Sequence, residues 1–156
     1  MSDTIINIEH GSRTPEQKAV MEKIAADGVC PFCADFCVGN PPKYHTKPIL
    51  KETEKWVFTE NFDPYEGALH HFLLIAKRHI TTQSEITSEE WEHVRRLVAW
   101  AEEAYELEGA ALLLRFGDTN YTGGSVSHLH FQLIAGASKQ EGGERLIACL
   151  GYQKKK

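Results

Sequence analysis

Between Gly123 and Ile134 the chain reads Gly-Gly-Ser-Val-Ser-His-Leu-His-Phe-Gln-Leu-Ile, with polar and apolar residues alternating from His128 onward. A period of two belongs to a strand whose two faces meet different surroundings; a helix would scatter the same residues around its axis. On a strand, His128, His130 and Gln132 share one face, and Leu129, Phe131 and Leu133 the other. The small residues upstream form a turn able to aim backbone N–H groups at an anion over the polar face. Paired imidazoles beside such a turn are equipment for attack on phosphorus. The plainer alternative is a solvated polar strand face.

The rest of the chain supplies partners for this strand. Residues 56–59, 68–76 and 110–116 read as strands, and 145–150 as a last short one. Thr87-Ser88-Glu89-Glu90 is a capping box, opening a long helix through Trp91, Val94, Leu97, Val98, Ala101, Ala104 and Tyr105 that Gly109 ends. An earlier helix starts at Thr14-Pro15, repeats Val20, Met21, Ile24 and Ala25 at helical spacing, and stops at Gly28. Prolines between residues 40 and 48 exclude regular helix there. Strands joined by tight loops around one long helix predict an α+β fold with a mainly antiparallel sheet. Trp91 and Trp100 read as core or interface packing, and His45 and His93 as surface residues.

A chain of 156 residues fits one domain with a sizeable core. A formal net charge of −5 argues against a basic surface for an extended nucleic acid, while a small nucleotide needs only local amides and a few cations. No apolar run reaches the length of a membrane span, and the N-terminus lacks a signal-peptide pattern, so a cytoplasmic location is expected. In that setting the four cysteines, three of them between Cys30 and Cys37, fit a metal site better than a disulfide scaffold. Cys30-Pro31-Phe32-Cys33 has the spacing that lets two thiolates reach one tetrahedral ion, with histidines from elsewhere completing the set. A buried thiol pair or a redox pair are the alternatives, and Cys37 is a substitute ligand.

Three segments together resemble the histidine-triad superfamily, whose members transfer or hydrolyse nucleoside monophosphates. They are His71-Phe72-Leu73-Leu74-Ile75-Ala76-Lys77-Arg78-His79, the stretch from Gly123 to Gln132, and the Cys30–Cys33 pair. The matched region runs from about Cys30 to Ile134. The family pattern ends on a third histidine where this chain has Gln132, and His-x-His-x-Gln is similar to the nucleotidyltransferase branch. That branch includes galactose-1-phosphate uridylyltransferase and the diadenosine polyphosphate phosphorylases. The resemblance implies a HIT-like antiparallel sheet with one long helix and an N-terminal zinc knuckle. It implies His130 as nucleophile, a structural zinc held by Cys30, Cys33, His79 and His128, and a homodimer. Three divisions follow: a helical extension over residues 1–28, a catalytic domain over 29–153 and a basic tail over 154–156.

Gln132 bears on reaction type. An amide can donate a hydrogen bond to a phosphoryl oxygen but cannot deliver a proton to a leaving group at neutral pH. Leaving groups that are already good anions, such as phosphates, become the expected ones. The expected reaction is nucleotidyl transfer or phosphorolysis on nucleoside polyphosphates or nucleotide sugars, through a covalent nucleotidyl-histidine. Hydrolysis to a nucleoside monophosphate and a non-catalytic nucleotide sensor are the alternatives. On the substrate side the resemblance implies Asn61 against ribose, although Asn61 also suits a turn before Asp63-Pro64. Gly123, Gly124, Ser125 and Val126 match the phosphate-cradling turn. Arg115 and Lys77 are each able to neutralise a distal phosphate, or are solvated strand-end charges.

Overall fold

The computed structural model of the chain describes residues 5–11, 14–37 and 39–155, so residues 1–4, 12 and 13 of the expected extension and Lys156 of the expected tail lie outside them. Five strands, β1 (Ile49–Glu52), β2 (Trp56–Glu60), β3 (His70–Ala76), β4 (Ala111–Leu114) and β5 (His130–Ala135), form one sheet in the order β1-β2-β3-β5-β4. Every pairing is antiparallel, with β3 at the centre between β2 and β5. Helices α1 (Ile8–Gly11), α2 (Pro15–Asp27) and α3 (Pro31–Phe36) precede the sheet, α4 (Ser88–Ala104) lies between β3 and β4, and the short α5 (Thr119–Thr122) precedes β5. Among the described residues no helix is long and apolar enough to cross a membrane.

Alternation along the strands builds two cores. Trp56, Phe58, Phe72, Leu74, Phe131 and Leu133 pack with Val94, Leu97 and Ala101 of α4. Val57, Leu73 and Ile75 point the other way and cluster with Phe36, with Phe32 partly buried against them. A third cluster joins Ile6, Met21, Ile24 and Tyr44. One face of the sheet is therefore filled by α4, and the other carries Phe32 and Phe36 of α3 beside His71, His130 and Gln132.

The capping box of α4 forms as read: Glu90 N–H donates to Thr87 Oγ1 at 3.2 Å, and Thr87 N–H to Glu90 Oε2 at 2.8 Å. The helix ends at Ala104, four residues before the Glu108 end that a Gly109 cap predicts. Glu106 takes a left-handed φ of 49°, and Leu107 N–H folds back to Glu102 O at 3.0 Å, closing the last turn without a glycine. Thr14 and Gly28 cap α2 as expected, Gly28 at φ 65°.

Other readings change. Residues 145–150 form no strand; Ile147 and Leu150 are exposed, and the Cys149 carbonyl accepts from Arg115 instead of a neighbouring strand. Strand β1 escaped the sequence because a short, mostly exposed edge strand need not alternate. His93 is buried, not superficial, because it sits on the same helical stripe as Glu90, Val94, Leu97 and Ala101. Trp91 packs edge-on to Phe131 at 5.3 Å, and Trp100 against Phe58 at the same distance.

Candidate functional site

Cys30, Cys33, His79 and His128 each offer one ligand atom, and all four atoms lie within 4.8 Å of one another. Cys30 caps α3, whose first turn brings Cys33 round to the same side. His79 comes from the Lys77-Arg78-His79 turn after β3, and His128 from the residues just before β5. Cys30 Sγ and Cys33 Sγ lie 3.3 and 3.4 Å from His128 Nδ1, Cys33 Sγ 3.2 Å from His79 Nδ1, and the two Nδ1 atoms 3.2 Å apart. A zinc tetrahedron with bonds of ~2.3 Å to sulfur and ~2.0–2.1 Å to nitrogen has S–N edges of ~3.5 Å and N–N edges of ~3.3 Å. The separations fit, and so does the donor set.

His128 is prepared for this arrangement. Its Nε2–H donates to Ala76 O at 2.7 Å, which leaves Nδ1 as the bare nitrogen facing the cysteines. Burial lowers the His128 pKa to about 4, keeping the ring neutral. Burial, then the neighbouring Cys30, raises the Cys33 pKa, so a bound cation is what would draw out the thiolate. Cys37 stands outside the group: its thiol donates to Lys77 O at 3.6 Å.

On the sheet face beside this group opens a cleft of about 240 Å³. Its apolar lining includes Val20, Met21, Ile24, Phe32, Tyr44 and Leu73; its polar lining includes Asn61, Arg115, Ser125, His130 and Gln132. His130 Nδ1–H donates to His128 O at 2.8 Å, so Nε2 keeps its lone pair. Burial lowers the pKa of His130 below that of an ordinary histidine. The ring of Phe32 stands edge-on to it at 5.1 Å. A neutral, oriented imidazole at the wall of a cleft is chemically a nucleophile.

Gln132 is also oriented. Tyr65 N–H donates to His71 Nδ1 at 3.0 Å, which puts the ring proton on Nε2, and that proton meets Gln132 Oε1 at 2.9 Å. With Oε1 so held, the side-chain NH₂ is the end of Gln132 left to a ligand. The sequence paired His71 only with an opposite-facing His70; its link to Gln132 is 61 residues distant and appears only in the register Leu73↔Gln132 that brings β3 and β5 together. Asn61 stands beside His71, with its Oδ1 accepting from Asp63 N–H at 3.0 Å. Its turn-forming role is thus present, and it lines the cleft as well.

Gly123 closes α5 in a left-handed conformation, φ 69°, its N–H on Thr119 O. Gly124 N–H is committed to Thr122 Oγ1 at 3.2 Å and is not offered to a ligand. Ser125 and Val126 are held by an isolated bridge to Ile6, through Asn7 N–H on Ser125 O and Ser127 N–H on Ile5 O. Of the two candidate cations, Arg115 lines the cleft, whereas Lys77 pairs with Glu52 at 2.9 Å and does not.

Two further residues shape the cleft, Asp35, which the sequence reading did not single out, and His45, which it placed on the surface. Asp35 is buried and accepts backbone N–H groups from Lys43, Tyr44 and His45, pinning the proline-rich segment to α3. His45 is half-buried in the cleft wall rather than on the surface, because Asp35 holds its backbone and its Nε2 bonds Thr59 Oγ1 at 2.7 Å.

A protein titled "Hit Like Protein" is 25% identical, with a TM-score of 0.51 over 60% of this chain and 89% of its own. A hypothetical protein from Leishmania major is 23% identical, TM-score 0.52, over 72% of this chain and 76% of its own. The histidine triad nucleotide-binding protein of Candida albicans is 21% identical, TM-score 0.50, over 60% and 69%. The last two share the fold. No curated protein matches the chain. Residues 37–147, more than two thirds of the chain, match the family described as "Scavenger mRNA decapping enzyme C-term binding". That span carries His71, His79 and the His128–Gln132 stretch, and through it the chain belongs to this family within the HIT-like superfamily.

Proposed function

We propose that this chain is a nucleotide-processing enzyme that transfers a nucleoside monophosphate through a covalent bond to His130. The observation that carries this reading is the hydrogen bond from His130 Nδ1 to the His128 carbonyl, which leaves Nε2 unprotonated at the cleft wall. Nε2 attacks the α-phosphorus as the bond to the leaving oxygen breaks, in line, and the electron pair departs on that oxygen. The Gln132 NH₂ donates to a phosphoryl oxygen as charge builds. The backbone of residues 123–126 lies along the same cleft, and Asn61 faces the ribose. A second displacement, by phosphate or a phosphorylated acceptor, releases the nucleotide.

Transfer and phosphorolysis are preferred to hydrolysis because Gln132 cannot act as an acid, which favours leaving groups and acceptors that are already anions. Zinc at Cys30, Cys33, His79 and His128 acts structurally in this reading, since all four positions are filled by protein atoms and none is left for water. Residues 29–153 act as the catalytic domain, 1–28 as its helical extension and 154–156 as a basic tail. The cytoplasm is the proposed location. A homodimer is proposed, supported by the exposed Leu112 on the edge strand β4 and the exposed Phe116 just beyond it.

The test is incubation with dinucleoside polyphosphates and nucleotide sugars, with and without inorganic phosphate, followed by intact mass and product analysis. An mRNA cap analogue belongs in the panel, given the decapping enzyme for which the family is named. A nucleotide-sized adduct with phosphate-dependent products is expected. Phosphate-independent release of a monophosphate replaces transfer by hydrolysis. Bound nucleotide with neither adduct nor product leaves a sensor.

A further inference from the structure

We infer that Arg115 is the residue that receives the leaving phosphate, and that the cleft is therefore built for substrates with at least one phosphate beyond the one attacked. This rests on the proposed attack by His130 and names the substrate class of that site. Among the described residues lining the cleft, Arg115 is the one lysine or arginine. It follows β4 directly, and the pairing of Leu114 with Phe131 sets it beside His130 on the neighbouring strand. Its Cδ lies 3.9 Å from where a Cβ on Gly124 would stand, so its stem crosses the glycine turn.

The guanidinium is held at the cleft but not saturated. Nη2 donates to Tyr65 Oη at 2.8 Å and to the Cys149 carbonyl. Nε is buried with no hydrogen-bond partner among the described residues. A buried N–H without an acceptor is costly unless a ligand supplies one, and a phosphate oxygen is the acceptor a guanidinium fits best. The partners of Nη2 are neutral oxygens, which an anion outcompetes.

The chemistry requires such a group. When Nε2 of His130 forms its bond to the α-phosphorus, the bond to the bridging oxygen breaks and that oxygen leaves with the electron pair. Gln132 has no proton to give it. A fixed cation stabilises the departing oxyanion in place of a general acid, with no proton moved.

The experiment compares two donors of one adenylyl group on the zinc-loaded full chain: diadenosine tetraphosphate, which leaves as a polyphosphate, and adenosine 5′-(4-nitrophenyl phosphate), which leaves as a nitrophenolate. In Arg115→Gln the ratio of kcat/KM values, polyphosphate over nitrophenyl ester, should fall by roughly 10²-fold. Arg115→Lys should restore part of it. An unchanged ratio, with both substrates slowed equally or neither slowed, overturns the assignment. Calorimetric titration with inorganic tripolyphosphate in magnesium-free buffer separates this from failure of the catalytic reading. The wild type should bind it at least about tenfold more tightly than Arg115→Gln. If no donor gives turnover or adduct, transfer through His130 fails. The tripolyphosphate difference then decides Arg115 alone, and equal affinities overturn it.

Discussion

At the scale of single residues the chemistry depends on which atom holds a proton. In the proposed reaction His130 attacks only while Nε2 is bare, and burial lowers its pKa below the ordinary value of 6.5. Protonation removes the lone pair, so adduct formation should decline as pH falls from 8, with its midpoint below 6.5. Rapid-quench mass spectrometry across that range checks this; a midpoint above 6.5 contradicts the burial argument. His130→Ala should abolish adduct and turnover while circular dichroism and zinc content stay near normal, and unchanged turnover sinks the nucleophile. Gln132→His returns a proton donor to the site and should extend activity to phosphoramidates, whose amine leaving groups need one. No gain there would remove the proposed reason for glutamine.

Among elements, the junction of α4 with the turn after β3 carries both stability and the metal group. Arg78 clamps Glu90 through Nε at 2.6 Å and Nη2 at 2.9 Å, and the next residue is His79. The Arg78 guanidinium, helped by the Thr87 N–H, lowers the Glu90 carboxyl to about 2. A depressed carboxylate contributes stability above its unfolded pKa and loses it as pH falls through the folded one. Thermal stability should therefore decline progressively from about pH 4.5 towards 2, and Glu90→Gln should flatten that slope while costing about 1–3 kcal/mol at pH 7. An equal slope in the variant would assign the acid sensitivity elsewhere. Cys33→Ser should lose metal and thermal stability together; full retention of zinc would make Cys37 the ligand.

For the whole molecule, the sheet is the frame that α4 closes on one side and α3 borders, with the cleft, on the other. Phe58 is fully buried between Phe72 and Trp100, so Phe58→Ala should cost about 3–5 kcal/mol in denaturant unfolding. The four candidate metal donors come from three separated places in the chain, and an ion held by them would tie α3 to one end of the β3–β5 pairing, where β3 finishes and β5 begins. Elemental analysis should find one zinc per chain. Its removal should lower the melting temperature before any effect on nucleotide chemistry is read; a metal-free protein of unchanged stability would refute the structural role.

Much of this was legible in the residues because it depends on local periodicity and local chemistry. Alternation at 128–134 fixes which side chains share a face. The Thr87–Glu90 box and the Thr14 and Gly28 caps act within a few bonds, and the cysteine spacing sets what one ion can reach. The structure shifts only the frame of that stretch, starting β5 at His130 and leaving His128 before it, turned to the cysteines. What the residues alone leave open are relations between distant segments. The His71–Gln132 bond, the choice of Arg115 over Lys77, the place of Asp35 and the unpaired course of residues 145–150 each depend on which strands become neighbours and in what register. Side chains tens of residues apart acquire partners only when hydrophobic burial on both sheet faces selects one pairing, and that selection is made by the whole fold at once.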